Sequence, residues 1–208
     1  MKSKNPNRLN IIVISGPSGS GKSTLINRLI EEHDDIVFST SHTTRQKREN
    51  EIDGTHYHFV TEETFGNMID RDEFVEWADV YRNLYGTAVA EIKRKAGGEK
   101  NLILDIDVQG ARNIKKKFPE ALFIFVIPPD LEELEKRLIA REKIMDNHIE
   151  NRLKTAAAEI KQYGLYDYIV INDKVNDAYT VLKSIYTAYN NSTAKQRDFI
   201  ENMLKASD

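Results

Sequence analysis

The sequence predicts an α/β fold, a parallel sheet with helices on both faces, carrying a small inserted lobe and a helical lid. Three observations predict it. Short β-branched runs alternate with helical patterns along most of the chain. The first run passes through a glycine-rich turn straight into a helix. One polar stretch, residues 40–90, breaks the alternation and reads as an insertion at the sheet edge.

Residues 9–14, Leu9-Asn10-Ile11-Ile12-Val13-Ile14, are short, apolar and bounded by Gly16-Pro17, as a strand buried on both faces is. A helix over 22–32 follows, with Leu25, Ile26, Leu29 and Ile30 at helical spacing. The second strand is 36–38. Within the insertion, Tyr57-His58-Phe59-Val60 alternates and a small helix lies near 62–70. Residues 102–106, 122–127 and 168–171 are the remaining core strands, with Pro128-Pro129 stopping the second of these. Helical patterns fill about 109–117, 130–141, 147–163 and 175–190. Residues 141–150 are polar and charged and lie between two helices, where a mobile flap fits. Phe199, Ile200, Met203 and Leu204 fall at helical spacing, which makes 191–208 a docked or dimer-contact helix. The expected plan is one domain over 1–208, with a core of about 9–39, 91–136 and 164–190. The lobe takes 40–90, the lid 137–163 and the tail 191–208.

Composition narrows the chemistry. The 208 residues include 30 Lys plus Arg and 33 Asp plus Glu, a net charge of −3, and no Cys. That length suits one domain. Zero Cys excludes disulfides, thiolate metal sites and cysteine nucleophiles. The acidic balance argues against nucleic-acid polymers. No apolar run approaches the ~20 residues of a membrane span, and the first eight residues lack the apolar core of a signal peptide. A soluble cytoplasmic protein is expected, using Lys, Arg, carboxylates, hydroxyls and backbone amides.

Gly16-Pro17-Ser18-Gly19-Ser20-Gly21-Lys22-Ser23, with Thr24 next, matches G-x-x-x-x-G-K-[ST] between a strand and a helix. The glycines let backbone N–H groups turn inward as an anion nest, and the following helix points its positive end there. Lys22 supplies a mobile charge for the β- and γ-phosphates, and Ser23 a hydroxyl for Mg²⁺. A chance match in this length is on the order of 1% at average Gly usage. The motif implies a bound nucleoside triphosphate without separating kinases from GTPases or ATPases. No Asn-Lys-x-Asp guanine loop is present, although Asn172-Asp173-Lys174 ends a strand where it could touch a base.

Thr43-Thr44-Arg45-Gln46-Lys47-Arg48 follows the second strand. Arg45 and Arg48 converging on one phosphate would hold it by bidentate bonds, with Tyr57 and Tyr85 adding phenolic donors. On these residues alone, a solvated basic turn is an equal alternative. His33, His42, His56, His58 and His148 are scattered and read as packing or solvent-facing residues.

Further motifs follow in order: Ser41-His42-Thr43-Thr44-Arg45, Phe74-Val75-Glu76-Trp77-Ala78, Tyr85-Gly86-Thr87, Asp105-Ile106-Asp107-Val108-Gln109-Gly110-Ala111, Asn151-Arg152-Leu153 and Val170-Ile171-Asn172-Asp173. With the phosphate loop they resemble guanylate kinase over about 10–190. The resemblance implies a P-loop NTPase-type core and transfer of the ATP γ-phosphoryl group to GMP. It implies that Arg45, Arg48, Tyr57 and Tyr85 hold the acceptor phosphate, with Glu51 and Gly86 in the same site. It implies that Ser41, Glu76, Thr87 and Asp107 read guanine, whose N1–H and amino group need acceptors that adenine does not. Arg137, Arg141 and Arg152 match the lid arginines that join Lys22 and Arg45 in catalysis. Arg141 is expected to stack on adenine, with Asn172 near its edge. Asp105 resembles the acidic residue that positions Mg²⁺, through water. The partners implied are ATP and GMP, for a monomer or homodimer with no membrane and no nucleic acid.

Departures from the family pattern are local. Lys47 and Asn50 replace Pro and Gly in the acceptor turn, Leu84 replaces a tyrosine, and Ala140 and Glu142 replace two lid glycines. Two other readings stay open on sequence. One is a guanylate-kinase-like module that binds a partner protein; the other is a related kinase with a different phosphorylated acceptor. Intact Lys22 and lid arginines oppose the first, and Ser41, Glu76 and Asp107 oppose the second.

Overall fold

A computed structural model describes residues 9–80, 82–95, 100–142 and 147–205, with the backbone alone for Arg141, Glu142, Asn147 and His148. In chain order, β1 (Ile11–Ser15) feeds α1 (Lys22–Glu32), which returns to β2 (Ile36–Phe38). The insertion supplies β3 (His42–Thr43), β4 (His58–Phe59), α2 (Glu62–Asp70), β5 (Phe74–Val80) and β6 (Asn83–Ala88). Then come α3 (Val89–Lys95), β7 (Asn101–Asp105), α4 (Val108–Lys117), β8 (Leu122–Ile127), α5 (Leu131–Glu142) and α6 (Asn147–Ile160). The chain continues through β9 (Tyr168–Ile171), α7 (Val175–Asn190) and α8 (Thr193–Lys205).

The central sheet is ordered β2-β7-β1-β8-β9, and every pairing is parallel. Its strands are continuous apolar runs because both faces are covered. Ile12 and Ile14 of β1 face one core with Leu25 and Leu29 of α1 and Leu182 of α7. Ile11 and Val13 face the opposite core with Ala111 and Ile114 of α4 and Ile92 of α3. Burying each such side chain contributes roughly 1.5–3 kcal/mol. Parallel order brings the C-terminal ends of β1, β7, β8 and β9 to one edge, and the candidate site forms there.

The insertion folds into a second sheet ordered β4-β3-β6-β5. β5 and β6 are antiparallel, with a register irregularity between Phe74 and Glu76. Thr61 caps α2, its side chain accepting from Thr64 N–H, and the helix buries Phe65 stacked on Phe74 at 4.4 Å. Gly86 admits those rings: a Cβ there would lie 2.8 Å from Phe74 and 3.0 Å from Phe65. Val75 turns from this sheet into the core beside Val13, so β5 bridges the two units.

Helix α1 and the strands 36–38, 122–127 and 168–171 stand where the sequence places them. β5, β6 and α3 are additions to that reading. The expected 147–163 helix ends at Ile160, and a short 3₁₀ turn at Tyr163–Leu165 leads to β9. α8 is fastened by polar contacts near its start. Lys195 Nζ donates to Asn101 Oδ1 at 3.3 Å, and Gln196 Nε2 to Asn190 O at 2.7 Å. Phe199, Ile200, Met203 and Leu204 are exposed. No helix among the described residues is long and apolar enough to cross a membrane.

Candidate active site

The loop after β1 closes because three glycines take positive φ: Gly16 at 150°, Gly19 at 90° and Gly21 at 87°. Such angles strain any residue with a Cβ. Gly16 also passes under β8, where a Cβ would sit 2.0 Å from Val126 O. Gly21 precedes α1 and offers no side-chain cap, and the first turn holds no acidic residue. The first N–H groups of the helix are therefore left for an anion. Lys22 folds back over the loop, its Nζ donating to Gly16 O at 2.7 Å and Pro17 O at 3.4 Å. Ser23 and Thr24 are exposed on the first turn. Asn172, at the end of β9, lies beneath the loop, its Nδ2 donating to Ser20 O at 2.8 Å. The sequence expects Asn172 near an adenine edge; the fold also makes it a support for the loop.

Two neighbours complete this end. Asp105 closes β7 in register with Ile14, one residue before the end of β1. α5 and α6 pack together through Leu134, Leu138, Leu153 and Ala156, and Leu134 and Leu138 approach Gly19. That packing delivers Arg152, whose guanidinium donates to Ser18 Oγ at 2.8 Å. Arg137 is held by its own helix, donating to Glu133 Oε1 at 2.8 Å, and reaches Asp173 O at 3.3 Å. The side chain of Arg141 lies outside the described residues.

The second sheet builds the acceptor end. Thr44 N–H donates to Leu84 O, and Thr44 Oγ1 accepts from Leu84 N–H, so β3 and β6 stay paired up to Arg45. The Arg45 guanidinium grips Glu51 with two bonds of 3.0 and 2.7 Å. Burial works against the charge of Arg45, but Glu51 outweighs it and holds the guanidinium ionised. Tyr57 and Phe59 lie under the guanidinium at 5.5 and 5.7 Å, and Tyr85 meets Tyr57 edge-on at 5.9 Å. Burial pushes the Tyr57 phenol up, so it stays a donor. Arg48 is more open; its backbone N–H donates to Glu51 Oε2 at 2.8 Å.

Between the two ends stand two carboxylates. Glu76 on β5 is 5% exposed and accepts from Thr87 Oγ1 at 2.5 Å. Asp107 caps α4, accepting from Gly110 N–H at 2.9 Å. A Cβ on Gly110 would lie 2.5 Å from Glu76 Oε2 and 3.1 Å from Asp107 Oδ1, so this glycine is what lets both carboxylates approach. Burial, with Asp107 adding to it, raises the Glu76 carboxyl to about 7. Burial also raises Asp107. Ser41 and Thr87 are buried, and His42 beside Ser41 pairs in register with Gly86 beside Thr87.

Sequence reasoning passed over Glu159, two helical turns beyond Arg152 on α6 and so on its face. Burial raises its carboxyl to about 7, while Lys22 draws it down and Asp107 pushes it up. Its spacing from Arg152 was the available signal. Among the described residues the histidines form no metal-holding cluster: His42 and His58 pack at 4.6 Å, and His56 Nδ1 accepts from Ile52 N–H.

A parallel sheet whose first strand ends in this glycine loop defines the P-loop nucleotide-binding class. The second sheet and the α5–α6 pair narrow that class. The chain belongs to the guanylate kinase family: the family model described as Guanylate kinase matches residues 8–189. A guanylate kinase of Clostridium perfringens (strain SM101 / Type A) is 45% identical over 182 residues, 88% of this chain and 84% of that relative. One from Geobacter sulfurreducens is 41% identical over 190 residues, 91% and 94% of the two chains. Among solved structures, a guanylate kinase from Anaplasma phagocytophilum superposes with a TM-score of 0.75 at 31% identity, covering 90% of this chain and 89% of that one.

Proposed function

We propose that this protein transfers the γ-phosphoryl group of ATP to GMP, giving ADP and GDP. One observation carries the reading. The phosphate loop stands at the C-terminal edge of the central sheet, where Asp107 follows β7, and Gly110 brings buried Glu76 of the second sheet up to Asp107. The names of the relatives support it.

Lys22 leaves the loop carbonyls for the β- and γ-phosphates, and the uncapped start of α1 receives them. Arg45 turns its fork from Glu51 to the acceptor phosphate, with Arg48, Tyr57 and Tyr85 around it. Ionised Glu76, with Asp107, Ser41 and Thr87, accepts from guanine. The acceptor oxygen belongs to a phosphate already largely ionised near neutral pH, so no side chain needs to remove a proton. Arg137, Arg141 and Arg152 then bring positive charge over the transferring group from the lid, which excludes water.

Mg²⁺ suits the residues present. Ser23 Oγ is exposed on the first turn of α1, Asp105 ends the strand beside the loop, and the described residues contain no three-residue His, Cys or acidic cluster. Such a sparse oxygen set fits an ion held mainly by phosphates and water. When bound with ATP it neutralises charge on the phosphate oxygens. We assign the chain to the cytoplasm, where ATP and GMP meet. A core, a lobe over 40–90 and a lid over 137–163 are the parts that move.

ADP release measured with ATP and Mg²⁺ against GMP, AMP, UMP and CMP tests the proposal. GMP-dependent ADP formation with little use of the other three is expected. Absence of GMP-dependent ADP at millimolar GMP overturns it.

A further inference from the structure

The chain crosses from the core into the inserted sheet after β2 and returns through α3. At the outgoing crossing, Ser39 N–H still bonds into the central sheet, donating to Ile103 O at 2.9 Å. The next amide leaves that sheet: Thr40 N–H donates to Glu91 Oε1 at 3.0 Å. Glu91 lies on α3, in the returning crossing, and is 5% exposed. It also takes Arg94 at 2.7 Å and Lys95 Nζ at 2.5 Å. Lys95 Nζ closes the ring by donating to Phe38 O at 2.7 Å and Thr40 Oγ1 at 3.4 Å. Burial opposes the charge on Glu91, but these donors outweigh it and hold the carboxyl down to about 2.

We propose that Glu91 is a positioning residue for guanine selection, fastening the two crossings so that Ser41 and Thr87 keep a fixed separation. The inference rests on the reading of 40–90 as the GMP-binding lobe. Each of these two residues lies between two fixed points. Ser41 sits between Thr40, held by Glu91, and His42, paired with Gly86. Thr87 sits between Gly86 and the α3 turn that carries Glu91. Thr87 in turn bonds Glu76, the buried base reader. Core packing alone does not call for a carboxylate here, because an apolar side chain is often as stabilising as a buried ion pair.

The full-length chain tests this with two variants and one exchange measurement. Glu91→Ala removes every bond; Glu91→Gln keeps an acceptor for Thr40 N–H and loses the charge. Initial rates are measured against GMP at saturating ATP and against ATP at saturating GMP. Glu91→Ala is expected to raise KM for GMP by about tenfold or more, the scale of a lost bond to a charged group. KM for ATP and kcat should stay within about threefold, and Glu91→Gln should recover most of the GMP defect. An unchanged KM for GMP, or an equal rise in both KM values, overturns the proposal. If the alanine variant does not fold, a Glu91→Gln enzyme whose KM for GMP rises while KM for ATP stays like wild type, together with a protected Thr40 amide, supports it, and one like wild type towards both substrates refutes it. A Gln variant defective equally towards both substrates refutes it. Residue-resolved hydrogen exchange on the unmodified, nucleotide-free chain decides the clasp separately. A Thr40 amide slowed about a hundredfold or more relative to open loop amides supports it; loop-like exchange overturns it. Absence of GMP turnover by the wild-type chain would refute the functional reading, while the Thr40 amide would still report on the clasp.

Discussion

Glu76 carries the sharpest consequence at the scale of a single side chain. Its carboxyl stands at about 7 against an ordinary 4.5, with burial as the largest cause. The folded, empty protein holds this proton where the unfolded chain has released it. Glu76 therefore contributes a loss of stability as pH rises from 4.5 to about 7. The proposed guanine contact needs the ionised form, so GMP binding should release a proton below that value. KM for GMP should fall by up to about tenfold per pH unit as pH approaches 7 from below. Glu76→Gln should remove this slope, leaving only ionisation of the nucleotide phosphate, and should weaken GMP use far more than ATP use. Matching pH profiles for variant and wild type would contradict it. Lys22→Ala should lower kcat by on the order of 10²–10³, the scale of one lost transition-state donor. Its melting temperature should stay close to wild type, since among the described residues Nζ bonds only carbonyls of the loop it covers; calorimetry checks this. Lys22 was legible because its motif is contiguous. Glu159 was not, because its raised carboxyl arises from burial, with Asp107, remote in sequence, adding to it against the pull of Lys22.

Among elements, the loop from Gly16 to Gly21 has the least tolerance. Gly21→Ala places a Cβ 2.2 Å from Asn172 Nδ2 at a φ of 87°. Strain of about 1–3 kcal/mol adds to damage to the Asn172–Ser20 bond. A drop of about 4–10 °C in Tm, with weaker ATP binding, is expected from scanning calorimetry and titration. Full ATP affinity in that variant would show that the glycine is dispensable. The core strands were readable because burial on both faces leaves an unbroken apolar signature. β5 and β6 were not. β5 alternates buried Val75, Glu76 and Ala78 with exposed Trp77 and Asp79, interrupted by its register irregularity. Its buried acid, Glu76, is one of the candidate site residues, and a carboxylate at a buried position breaks the pattern that would have announced a strand. α3 was hidden for a related reason: Glu91 is a charge at a buried position.

For the molecule as a whole, the candidate ligands come from parts joined by few connections. Arg45 and Tyr57 belong to the inserted segment, just outside β3 and β4, Arg152 to the α5–α6 pair and Lys22 to the core. Productive transfer requires these parts to converge, so GMP with a non-hydrolysable ATP analogue should reduce the radius of gyration in small-angle scattering. Superimposable profiles with and without both ligands would refute convergence. The P-loop core could be anticipated from alternation alone, whereas the way the inserted sheet leans on the core through Val75 could not, since long-range packing leaves no local periodicity. The close passage of Gly16 beneath Val126 O has a consequence for biosynthesis. β1 is flanked by β7 and β8, both encoded about ninety residues or more downstream. A ribosome releasing the chain from its N-terminus exposes the glycine loop long before the strands that shape it. A nascent chain that stops short of β8 should therefore fail to retain ATP, and nucleotide capture would mark a late step in the birth of the protein.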